Sequence, residues 1–111
     1  MDILAMPMGL AGEVNHLLKE HNLSAPVMEV RRKGRSTWAF FCTPRDMDHG
    51  NETARTLAIY GVEHFGQDAR VPLPPSPASS GCSLRWVEEP TQAPLPLWAA
   101  VASCALQAIR R

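Results

Sequence analysis

An α+β fold, with helices packed on one mostly antiparallel sheet of about five strands in the order βαββ(α)ββα, is predicted by three features of the sequence. The first is proline: there are ten in 111 residues, and Pro72, Pro74, Pro75, Pro77, Pro90, Pro94 and Pro96 crowd the second half. Helix interiors reject proline at about 3 kcal/mol each, which excludes an all-helical bundle. The second is the arrangement of apolar residues in periodic blocks, some with period two and some with helical spacing. The third is balance: 45% of residues are hydrophobic and 11 Lys/Arg face 11 Asp/Glu, a composition that excludes full disorder and fits one folded domain over residues 1–111.

Each element follows in order. Residues 2–6 are an apolar run stopped by Pro7, read as a strand. From Gly9 to His21, Leu10, Val14, Leu17 and Leu18 recur at helical spacing, and Asn22 is the stop signal. Residues 26–30 read as a strand, and Arg31, Arg32, Lys33, Gly34 and Arg35 as a basic hairpin turn tightened by the glycine. Ser36–Thr43 puts Trp38, Phe40 and Cys42 on one face and Ala39 and Phe41 on the other, the pattern of a central strand covered on both sides. Glu52–Tyr60 is a modest helix with Ala54, Leu57 and Ala58 inward and Gly61 as its stop. Ala69–Leu73 reads as a short strand running into a Pro/Ser loop. Cys82–Glu88 reads as another, with Leu84 and Trp86 on one side and Arg85 and Val87 on the other. Residues 90–96 form a connector, and 97–109 an Ala-rich helix with Leu97, Val101, Cys104 and Ile109 near helical spacing.

Three blocks in this order resemble the N-terminal domain of bifunctional primase–polymerases, of the archaeo-eukaryotic primase superfamily. They are Asp2-Ile3-Leu4-Ala5-Met6-Pro7, Gly34-Arg35-Ser36-Thr37-Trp38-Ala39-Phe40-Phe41, and Ala69-Arg70-Val71-Pro72-Leu73-Pro74-Pro75-Ser76 followed by Leu84-Arg85-Trp86-Val87. The resemblance covers about residues 1–89. It implies a strand carrying two aspartates that hold divalent metals, and a histidine that contacts nucleotide phosphate. The aspartate positions here read Ala5 and Pro7, only Asp2 is acidic, and the histidine falls at or beside Trp38. Nucleotidyl transfer requires paired carboxylates for its metals. The chain is therefore expected to be a degenerate, non-enzymatic relative without metal or cofactor.

Other chemistry finds little footing. Cys42, Cys82 and Cys104 are odd in number and never in a C-x-x-C pair, which argues against a disulfide framework or zinc knuckle. With a start lacking the basic and apolar regions of a signal peptide, the expected location is cytoplasmic. Asp46, Asp48, His49 and Glu52 resemble the start of a calcium loop, but Leu57 stands where its final glutamate belongs, and acidic residues also suit a helix N-terminus. No Gly-x-Ser-x-Gly elbow surrounds Ser76, Ser79 or Ser80.

Binding features remain. Arg31, Arg32, Lys33 and Arg35 offer a grip on nucleic-acid phosphates, with Trp38 or Phe41 as a stacking platform. The bland alternative is a solvated turn at a sheet edge. Pro74 and Pro75 lie in a run with two Pro-x-x-Pro spacings, suited either to a partner's aromatic groove or to a fixed loop. The last helix either covers the core or leaves Trp98 and Leu106 as a docking face for a protein partner or a homodimer. The expected role is that of a regulatory or accessory module binding a protein partner, with nucleic acid or nucleotide as the alternative ligand.

Overall fold

The computed structural model describes residues 1–45, 51–66 and 82–110. Its elements are β1 (Asp2–Pro7), α1 (Met8–Glu20), β2 (Val27–Arg32), β3 (Arg35–Cys42), α2 (Asn51–Ile59), β4 (Glu63–Phe65), β5 (Cys82–Glu88) and α3 (Trp98–Ile109). The five strands form one sheet in the order β4-β1-β3-β2-β5, every neighbouring pair antiparallel. This is the α+β architecture that the sequence predicts.

The strand Glu63–Phe65 is an addition to the sequence reading, and the strand expected over 69–73 lies outside the described residues. Three residues, Glu-His-Phe, are too few to show an alternation. Gly61, at φ 85°, and Asn22, at φ 58°, end α2 and α1 as expected. In each case the next residue closes the helix end by a backbone bond, Val62 to Leu57 at 3.1 Å and Leu23 to Leu18 at 2.8 Å. These left-handed caps satisfy carbonyls that the helix leaves open.

Period two along the strands sorts the core into two layers. Leu4, Met6, Val27, Phe40 and Cys42 face the helices and pack with Val14, Leu17 and Leu18 of α1, Leu57 of α2 and Val101 and Ala105 of α3. Ile3, Ala5, Met28, Ala39 and Phe41 face the other way, joined by Val30, Phe65, Leu84, Trp86 and Leu95. Thus β3, in the middle of the sheet, is buried on both sides. All three helices contribute only to the first layer, and Ala58, expected inward, is exposed.

In α3 the tryptophan takes the core-covering alternative and not the outward one. Trp98 is only 4% exposed, Leu106 is half-buried against the core, and Leu97 takes the exposed position instead. Helical spacing permits either Leu97 or Trp98 to face inward, and burying the larger ring removes more apolar surface from water. The outward residues Ala99, Ser103 and Gln107 are small or polar, so the expected docking face is not formed by Trp98.

Candidate recognition site on the open sheet face

The hairpin between β2 and β3 is tighter than the sequence suggests. Arg32 pairs directly with Arg35, which leaves only Lys33 and Gly34 in the turn, at φ 51° and 78°. Two successive left-handed residues make the turn whose twist suits paired strands. The turn is solvated, as the bland reading has it, with Arg31, Arg32, Lys33 and Arg35 all exposed, but β2 and β3 are interior strands, so the cations do not guard a sheet edge.

Register then divides the four cations between the two faces. Arg31 pairs with Ser36 on the helix side, where its Nε–H donates to Ser36 Oγ at 3.5 Å. Arg32, Lys33 and Arg35 instead line a concavity of about 760 Å³ on the other side, which no helix covers among the described residues and whose Ala5, Met28 and Ala39 are buried. Its floor is set by Ala5 opposite Ala39, two small side chains between the larger Ile3, Met28 and Phe65. On β3, Arg35 and Phe41 lie six residues apart, so this face extends roughly 20 Å from the cationic end to the aromatic end.

The expected stacking partners are placed elsewhere. Trp38 lies on the helix side and donates its indole N–H to Glu29 at 3.4 Å. Phe41 is buried in edge-to-face contact with Trp86, the ring centroids 5.6 Å apart. Neither ring lines the concavity with Arg32, Lys33 and Arg35. Phe65 does line the concavity, a residue that nothing in the sequence marked.

Ala5 and Pro7, where the resemblance places paired carboxylates, both line this concavity. The described lining does not fit two divalent metals: neither side chain brings an oxygen ligand, and Glu63 is the single carboxylate among the described lining residues. Asp2 belongs to the opposite face. It is 4% exposed, accepts the Arg45 backbone N–H at 3.0 Å and meets His64 Nε2 at 2.6 Å. Burial alone raises the Asp2 carboxyl, but the Arg45 bond and the His64 ring outweigh it and hold the group below the ordinary carboxylate range. The His64 ring also meets Trp98 edge to face at 5.8 Å. This pair fastens the short edge strand β4 to the sheet.

Other ionisable groups are also committed to the framework. Glu29 accepts Arg85 Nε–H at 2.8 Å, which, against the opposing effect of burial and with help from Trp38, holds it low. Glu88 is held low by Lys19 at 2.6 Å. Burial, with the Asp2 charge adding to it, pushes the Cys42 thiol up to about 12. A neutral buried thiol is a poor nucleophile. Cys42 is therefore expected to resist iodoacetamide in the folded protein at pH 8 and to react after denaturation, as read by mass spectrometry.

Of the remaining sequence candidates, Glu52 is exposed on α2, whereas Asp46, Asp48, His49, Pro74 and Pro75 lie outside the described residues. Among the described residues, no helix is long and apolar enough to cross a membrane. Comparisons of the chain with protein-family models, with curated proteins and with solved structures find no match.

Proposed function

We propose that this chain is a non-catalytic, primase–polymerase-like domain acting as an accessory binding module, and that it recognises an anionic ligand at the exposed cationic end of its β2–β3 hairpin. The observation that carries the reading is the convergence of Arg32, Lys33 and Arg35 on one end of an apolar concavity. The resemblance gains support from β1 and β3, which are antiparallel neighbours in register from Asp2–Cys42 to Pro7–Thr37. It also fits the placement of Ala5 and Pro7, where the resemblance expects the two aspartates, side by side on the lining of the concavity.

Arg32 and Arg35 stand directly opposite each other, and like charges in that position destabilise a sheet. An anion would turn that repulsion into attraction. Arg32→Glu is thus expected to raise the thermal midpoint by about 1–4 °C while weakening ligand binding. Circular dichroism melts paired with binding titrations test both halves. A lower midpoint would show that the arginines serve the fold instead.

A nucleotide or single strand is the second reading, favoured by the same cations as phosphate contacts. Titration of oligothymidylate at increasing salt separates the two: binding that falls steeply with salt supports nucleic acid, and no binding at low salt removes it.

A further inference from the structure

Resting on the reading of the cationic hairpin end as the recognition site, we infer that its occupant is a phosphate monoester carried by a protein partner. Two observations at the hairpin lead to it. The first is compactness: Arg32 pairs directly with Arg35, which sets their Cα atoms about 5 Å apart. Lys33 sits in the turn between them, and all three residues are exposed. The second is that none of the three makes an ion pair or a side-chain hydrogen bond among the described residues. Their neighbours differ in this, since Arg31 is bonded to Ser36, Arg85 to Glu29 and Lys19 to Glu88.

Three such cations within four residues match a ligand whose charge is concentrated. A carboxylate brings one charge, and a nucleic-acid strand spreads its single charges one to a phosphate. A phosphate monoester brings close to two charges and three acceptor oxygens on one atom, enough to bridge facing guanidinium groups. A free nucleotide carries the same group, but its base finds no stacking ring beside the cations. Phe65, the aromatic ring on the described lining, pairs with Ile3, which pairs with Phe41, and that row lies roughly 20 Å from Arg35. A membrane is disfavoured by charge: 11 Lys/Arg against 11 Asp/Glu leave no net attraction to an anionic surface. Phosphorylated protein segments, by contrast, are a ligand that arginine clusters recognise, and the partner's own chain supplies the further contacts that an exposed turn needs.

A peptide library with phosphoserine at a fixed position and random flanks, selected on the full chain and followed by fluorescence anisotropy with the enriched peptide, tests this inference. The phosphorylated peptide should bind at least about tenfold more tightly than the same peptide with serine or glutamate in that place. Its affinity should fall at least about tenfold in Arg32→Gln and in Arg35→Gln, and stay unchanged in Arg110→Gln at the end of α3. Both hairpin changes relieve the facing charges, so they leave the fold intact. Equal binding of the three peptides, or binding indifferent to Arg32→Gln and Arg35→Gln, overturns the inference. If poly-glutamate, oligothymidylate or phosphoinositide vesicles alone bind, and lose affinity in those two variants, the hairpin stands as the site but the phosphorylated partner is overturned. Inorganic phosphate binding as tightly as the peptide would overturn it too. If no probe binds in a way sensitive to the two variants, both the inference and the proposed site fail.

Discussion

Replacing Trp98 with alanine is expected to lower the unfolding free energy by about 3–5 kcal/mol, the usual cost of deleting a large buried aromatic. The ring packs within the helix-side core, edge to face with His64 at 5.8 Å, and the Arg45 guanidinium carbon lies 5.9 Å from its centroid. Deleting it opens a cavity where α3 meets β1 and β4, and removes the surface against which His64 rests. Domains of this size have only about 5–15 kcal/mol to lose, so a large fraction of the chain would unfold at modest urea. The same substitution at an exposed docking residue would leave the urea midpoint unchanged and alter only association. Equilibrium urea unfolding followed by far-ultraviolet circular dichroism therefore distinguishes the core role from the interface role.

The second large effect is expected at Asp2. Asp2→Ala removes the acceptor of the Arg45 backbone N–H and the partner of His64 in a nearly water-free setting. Leaving those groups without their carboxylate costs about 2–4 kcal/mol at neutral pH. The sign of its pH dependence follows from the depressed Asp2 carboxyl. The stabilisation is fully present above the unfolded-state carboxylate value, near pH 4, and disappears as pH falls through the lower folded-state value. The difference between wild type and Asp2→Ala should accordingly be large at pH 7 and shrink below about pH 4. Glu29 and Glu88 are also held low and weaken both proteins in acid, so the difference between the two curves isolates Asp2. A gap that stays constant with pH would show that the carboxylate is not the source of the stabilisation.

Much of the fold is legible in the sequence because it rests on periodicity and local stop signals. The alternation Trp38/Phe40/Cys42 against Ala39/Phe41 identifies the central strand before any partner is known. Asn22 and Gly61 mark helix ends through backbone conformations that few residues adopt. What escapes is anything set by distant partners. Asp2 and His64 are 62 positions apart and meet only because Leu4 pairs with His64 across β1 and β4. The division of the basic run, with Arg31 on one face and Arg32 and Arg35 on the other, depends on knowing that the turn is two residues long. Strand order, which makes β2 and β3 interior, is invisible in the hairpin itself. The concavity was hidden for the same reason, since Ala5 and Ala39 become a floor only when β1 and β3 are side by side.

The most direct test of the cationic hairpin end as the recognition site is chemical-shift mapping on isotopically labelled protein, with separate titrations of a poly-glutamate peptide and of oligothymidylate. The expected result is that perturbations from at least one of them concentrate on Arg32, Lys33, Gly34, Arg35 and Thr37. Perturbations confined to α3, or none in either titration, would contradict it.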